Sequence, residues 1–125
     1  MDDEDAIGTL LLDAAFKIHR QLGPGLLESA YEAILVYELK GCGLTVRQQV
    51  LVPIVYEQLT LHQGYRADLI IEDRVIVEIK SIEFLQPVHT KQLLTYLRLA
   101  RKRLGYVLNF GQYKLKDGIS RVLNG

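Results

Sequence analysis

Tyr65-Arg66-Ala67-Asp68-Leu69-Ile70-Ile71-Glu72-Asp73-Arg74-Val75-Ile76-Val77-Glu78-Ile79-Lys80-Ser81 is the stretch whose reading decides the fold. Two strand-like runs, Tyr65–Ile71 and Val75–Ser81, are joined by so short a loop that they predict a hairpin. Side chains alternate between the two faces of a strand. Tyr65, Ala67, Leu69 and Ile71 are therefore expected to face one way with Val75, Val77 and Ile79, as pure core. Arg66, Asp68 and Ile70 face the other way with Ile76, Glu78 and Lys80. This second face is apolar near the turn, so both sides of the sheet are expected to be covered. Farther along it holds charged groups, and unpaired charge is too costly to bury, so these are paired, metal-bound or at a cavity.

Register decides whether the two acids meet. Asp68 lies opposite Glu78 only if the loop holds an odd number of residues, Glu72-Asp73-Arg74, or if a bulge does the same job. A two-residue Glu72-Asp73 turn would send the acids to opposite faces. With the odd loop their β-carbons stand roughly 5 Å apart. That suits a hard divalent cation such as Mg²⁺, which prefers carboxylate oxygens and keeps several waters. Lys80, on the same strand and face as Glu78, can hold an attacking water or stabilise charge on a phosphoryl transition state. The plain alternative is a salt bridge among Asp68, Glu78 and Lys80 at a strand end.

Outward from the hairpin, Ile7, Leu10, Leu11, Ala14, Ala15, Ile18 and Leu22 recur at helical spacing, and Gly23-Pro24-Gly25 stops that helix. A second helix is expected from about Leu26 to Lys40, ended by Gly41 and Gly43. The period switches to two over Thr45–Tyr56, where Pro53 suggests an edge strand or a bulge, and a turn-rich stretch follows around Gln58–Gly64. Gln86-Pro87 opens a long helix to about Arg103. Gly105–Phe110 reads as a fourth strand, and Ile119–Leu123 as a short final element. The order helix, helix, three strands, helix, strand predicts an α/β fold, a mixed sheet flanked by helices.

The chain has 125 residues, 49% of them hydrophobic, which fits one domain spanning 1–125 and excludes disorder. Its single cysteine, Cys42, forms no internal disulfide and points to a reducing compartment. The acidic start Met1-Asp2-Asp3-Glu4-Asp5 is unlike a signal peptide, and no apolar run approaches the roughly 18 residues of a membrane span. A cytoplasmic, membrane-free protein is expected. Net charge is zero, but residues 1–80 carry seven Lys/Arg against thirteen Asp/Glu and residues 81–125 carry eight against two. A neutral total argues against coating nucleic acid by charge alone. Lys91, Arg98 and Lys102 on the third helix form a basic stripe that could track a phosphate backbone or simply face water. His19, His62 and His89 lack zinc-site spacing with Cys42.

These residues resemble a known family. Asp68, Glu78 and Lys80 on a hairpin flanked by helices look like the PD-(D/E)xK nuclease signature, with Ala67 where proline stands in the name. Gly25-Leu26-Leu27-Glu28-Ser29-Ala30-Tyr31 matches the motif of the GxxExxY proteins, a branch of that superfamily. YRADLIIEDRVIVEIKS and NFGQYKLKDGISRVLN resemble that branch's central and carboxy-terminal segments. The resemblance implies a PD-(D/E)xK nuclease-like fold, Asp68 and Glu78 as ligands of Mg²⁺ or Mn²⁺, and Lys80 as catalytic lysine. Glu28 would be an extra ligand or water-orienting group, with the Tyr31 hydroxyl near it, and Gln92 a further polar site residue. It implies a metal-dependent nuclease acting on nucleic acid; of the two substrates, DNA is favoured over RNA. A homodimer could join two basic stripes, and Tyr106, Leu108 and Phe110 could be buried or partly form its face. The competing expectation is a catalytically silent binding or regulatory module on the nuclease fold.

Overall fold

In the computed structural model, which describes residues 3–125, helices α1 (Glu4–Leu22) and α2 (Glu28–Gly41) precede strands β1 (Val46–Tyr56), β2 (Leu59–Ile71) and β3 (Val75–Lys80). Helix α3 (Pro87–Ala100), strand β4 (Leu104–Asn109), a 3₁₀ turn (Leu115–Gly118) and strand β5 (Ile119–Leu123) follow. Met1 and Asp2, the start of the acidic amino terminus, lie outside the described residues. The sheet runs β1-β2-β3-β4-β5, parallel between β3 and β4 and antiparallel elsewhere, so it is mixed as expected. A parallel neighbour needs a crossover, and α3 supplies it.

The β2–β3 turn has the predicted register. Glu72 and Asp73 both take positive φ, 54° and 53°, and Arg74 N–H closes the turn on Ile71 C=O at 2.9 Å. Arg74 is then the extra residue, because Ile71 pairs with Val75, Ile70 with Ile76 and Leu69 with Val77. Continued one step, that register sets Asp68 against Glu78. Pro53 lies on the edge strand and at a register shift between Val52 and Ile54, satisfying both expectations.

Three expectations are corrected. The stretch read as turn-rich, Gln58–Gly64, is mostly strand, since Leu59 and Leu61 pair with Tyr56 and Ile54 across the β1–β2 hairpin. Helix α3 ends at Ala100, with Arg101 in the left-handed region at φ 56°, so Lys102 lies beyond the helix. Tyr65 and Ala67 do not share the face of Leu69 and Ile71. They pack with Val52, Ile70, Ile76, Leu93 and Leu97 beneath α3, whereas Leu69, Ile71, Val77 and Ile79 pack under α1 and α2. The switch coincides with Gln49, at φ 51° in the middle of β1. A left-handed residue rotates the strand and breaks its period of two.

Tyr106, Leu108 and Phe110 are buried, so they form core and no dimer face. Much of the charge asymmetry is resolved within the fold, where Arg103 pairs with Glu4 and Arg121 with Asp5, both at 2.9 Å. Among the described residues no helix is long and apolar enough to cross a membrane.

Candidate active site

Backbone pairing between β2 and β3 ends at Leu69 and Val77, and side chains continue it. Asp68 Oδ2 accepts the Ile79 N–H at 2.8 Å, taking the place of a carbonyl. Glu78 Oε2 accepts the Asp68 N–H at 3.3 Å and the Tyr65 hydroxyl at 2.7 Å. Each acid is thus hydrogen-bonded to the partner strand. Both are half-buried, and Glu78 reaches through Tyr65 to the side of the sheet that α3 covers.

Their electrostatics are those of a crowded acid pair. Burial, then the adjacent Asp68 charge, pushes the Glu78 carboxyl up to about 7, against the pull of the Tyr65 hydroxyl and Lys80. The Tyr65 phenol is raised above its ordinary value by burial and by Glu78. Its ring stacks on Tyr96 of α3, centroids 3.3 Å apart, and burial raises that phenol too. Near neutral pH Glu78 therefore holds part of a proton, and a cation beside the pair would favour its ionised form.

Lys80 lies two residues beyond Glu78, half-buried, at the end of β3 beside Asn109 of β4. Its ammonium makes no ion pair or hydrogen bond with any described residue, so the salt bridge offered as the plain alternative is not formed. Its strand end is braced from behind. Asn109 Oδ1 accepts the Ile82 N–H at 3.0 Å, Gln112 Oε1 accepts the Leu85 N–H at 3.1 Å, and Asn109 Nδ2 donates to Gln112 Oε1 at 3.1 Å. At Gly111 a Cβ would stand 2.3 Å from the Ile82 carbonyl oxygen, so no side chain fits there.

The residues expected around this trio separate. Glu28, exposed in the first turn of α2, lines an open groove of about 370 Å³ with Leu26, Leu27, Ser29 and Ser81. Ser81 follows Lys80 and donates to Leu26 C=O at 2.7 Å, which brings this groove to the site end of the sheet. Tyr31 does not place its hydroxyl beside Glu28. It accepts from the Gly25 and Leu26 N–H groups at 2.9 and 3.2 Å and donates to the Gly23 carbonyl, while its ring stacks on Phe110 at 4.5 Å. The motif tyrosine thus pins the loop that delivers Glu28. Gln92 is exposed on α3 without a hydrogen bond to the acids, whereas Tyr96, one turn on, reaches them through Tyr65. Lys91 and Arg98 are exposed on α3. Lys102 belongs to no helical stripe, because its ammonium pairs with Asp73 at 3.1 Å at the hairpin turn, the opposite end of β3 from the acids.

Besides Tyr65, the alternation reading misses a carboxylate and two amides. Gln49 Nε2 donates to Asp68 Oδ1 at 3.3 Å and to Glu32 Oε1 at 2.8 Å, and Gln48 Nε2 donates to Glu32 Oε2 at 3.0 Å. Adjacent strand residues ordinarily point to opposite faces, yet both amides reach one carboxylate, which the left-handed turn at Gln49 makes feasible. Glu32 lies one helical turn after Glu28, and that spacing was the only signal available for it.

Residues 5–122 match the family described as the PD-(D/E)XK nuclease superfamily. The chain belongs to that superfamily. No curated protein matches it. Nucleases of this superfamily use divalent cations such as Mg²⁺ or Mn²⁺, and the donors here suit one. Asp68 and Glu78 offer hard oxygens, Glu78 Oε1 accepts no hydrogen bond from a described residue, and a cation would offset the burial and the Asp68 charge that raise Glu78. Among the described residues no three His, Cys, Asp or Glu stand close enough together to hold an ion. A PD-(D/E)XK site in this chain would therefore complete its shell with water or backbone oxygens, as Mg²⁺ commonly does. Ala67, in place of proline, is fully buried against α3 and supplies no chemistry.

Proposed function

We propose that this chain is a metal-dependent nuclease of the GxxExxY branch that hydrolyses phosphodiester bonds of nucleic acid, DNA rather than RNA. The observation that carries this is the pairing of Asp68 and Glu78 across the β2–β3 hairpin, with an uncommitted Lys80 on the same strand. Mg²⁺ or Mn²⁺ held by the two carboxylates would supply Lewis acidity at the scissile phosphate. Lys80 orients the attacking water and carries positive charge toward the phosphoryl oxygens as negative charge develops there. Tyr65 and the Asp68 N–H hold Glu78, and Gln49 and the Ile79 N–H hold Asp68, so neither acid reorganises during the reaction. Glu28 faces the groove beside Ser81, where it orients water or the strand being cut. Gln92 and Lys91 extend the polar and basic surface along α3, and Arg98 continues it.

One observation favours the second reading, a catalytically silent binding or regulatory module. No third ligating side chain joins the acid pair among the described residues. The test is cleavage of labelled single-stranded, duplex and branched DNA and of RNA, with Mg²⁺ and then Mn²⁺, by wild type, Lys80→Ala and Glu78→Ala. Metal-dependent cleavage lost in both variants establishes the nuclease. Absence of cleavage in all three, with no metal-dependent rise in melting temperature, establishes the silent module.

A further inference from the structure

Two large aromatic rings stand in solvent at the site end of the sheet, on segments the catalytic reading leaves unused. Phe84 is 60% exposed and Tyr113 is 85% exposed. The segments that carry them are joined. Phe84 precedes Leu85 and Tyr113 follows Gln112, and Leu85 N–H is hydrogen-bonded to Gln112 Oε1 at 3.1 Å. Both loops are rigid where they carry the rings, since Asn109 and Gln112 are buried and Gly111 packs against Ile82 without space for a side chain. The loop bearing Phe84 begins directly after Lys80.

Exposed aromatic surface on a braced support calls for a flat apolar ligand, and the surrounding charge indicates which. Lys114 and Lys116 are exposed on the Tyr113 segment and Lys91 is exposed on α3, none paired with a described acid, against the local acids Glu83 and Asp117. Aromatic rings interleaved with lysines form the footprint of single-stranded nucleic acid, whose unstacked bases lie on the rings while the phosphates run along the cations. A duplex keeps its bases stacked on one another and gains nothing from such rings. We infer that Phe84 and Tyr113 are a stacking platform for unpaired bases beside the phosphate delivered to Lys80, making the substrate a single strand or an unpaired end. This inference rests on the nuclease reading above and names the substrate class of that site.

The chain contains no tryptophan, so Tyr113→Trp introduces a single tryptophan, excitable apart from the tyrosines, that base stacking quenches. In EDTA, which prevents cleavage, oligothymidine of about 20 nucleotides should quench it saturably, and a duplex of the same length should bind at least about tenfold more weakly. By anisotropy, Phe84→Ala and Tyr113→Ala should each weaken single-strand binding about tenfold, with duplex binding unmoved and Tyr113→Phe like wild type. Unchanged single-strand affinity in both alanine variants overturns the inference, as does a preference for duplex. A concentration-dependent dimer dissolved by the same two substitutions also overturns it, because the rings would then be an interface between copies. Ring-dependent binding without any metal-dependent cleavage would sink the nuclease reading alone. Metal-dependent cleavage indifferent to the rings would sink this inference alone.

Discussion

Replacing Glu78 with glutamine should stabilise the metal-free protein at alkaline pH. The carboxyl rises from an ordinary 4.5 to about 7 because it is buried beside Asp68. Below pH 4.5 folded and unfolded chains both keep the proton. Between 4.5 and 7 the unfolded chain releases it while the folded one holds it, so folding stability falls as pH rises and the loss is complete above the folded value. A rise of that size corresponds to a loss of up to about 3 kcal/mol. Glutamine stays neutral throughout, and its carbonyl oxygen can still accept from Tyr65 and the Asp68 N–H. Urea unfolding in EDTA should therefore show Glu78→Gln close to wild type at pH 5 and more stable at pH 8, with a midpoint higher by on the order of 1–2 M. Saturating Mg²⁺ should narrow or reverse the gap, because a ligand that binds only the folded state stabilises by mass action and would favour the intact pair. Parallel pH profiles for the two proteins, or a variant less stable at pH 8, would refute the account of the acid pair.

Substitutions at three other positions probe the scaffold around that pair. Tyr31→Phe removes the hydroxyl that holds Gly23, Gly25 and Leu26, and should lower stability by about 1–3 kcal/mol in chemical denaturation while the Phe110 stack survives. Gln49→Ala should reduce cleavage by freeing Asp68 and Glu32, and Gln49→Gly should be equally impaired yet about 1 kcal/mol more stable than the alanine variant, because glycine tolerates φ 51°. Equal stability of those two variants would mean the left-handed residue is not strained. Gly111→Ala should cost about 1–3 kcal/mol in thermal or urea unfolding and depress cleavage, since its Cβ would force Ile82 and the loop after Lys80 to move.

The hairpin was legible because strand alternation and a counted loop leave few registers, and Arg74 as the extra residue selects the one that pairs Asp68 with Glu78. The two helices before it, the crossover helix and the edge position of Pro53 were legible for similar local reasons. Less legible were features that depend on a partner. Gln58–Gly64 has the composition of a turn, yet from Leu59 onward it is strand because β1 lies alongside. Arg101 ends α3 in a conformation that glycine normally marks, so nothing local separated Lys102 from the helical stripe. Gln49 gives no sign in the sequence of its positive φ, and with it were hidden the reversal of Tyr65 toward Glu78 and the entry of Glu32 into the site. Alternation and the counted loop brought out Asp68, Glu78 and Lys80, and resemblance added Glu28 and Gln92; geometry alone supplied Gln49, Tyr65 and the Asn109–Gln112 brace.

The hydrogen bond from Ile79 N–H to Asp68 gives that aspartate two employments. It completes the β2–β3 pairing whether or not an ion is ever bound, and Glu78 likewise anchors Tyr65 and the Asp68 N–H. Selection for folding alone would therefore retain an acceptor at both places in a lineage that had abandoned catalysis. Lys80 has no such second employment among the described residues. Were turnover lost in a lineage of this fold, the lysine would be the first of the three free to drift, so position 80, more than the acids, would report whether a given member still cuts.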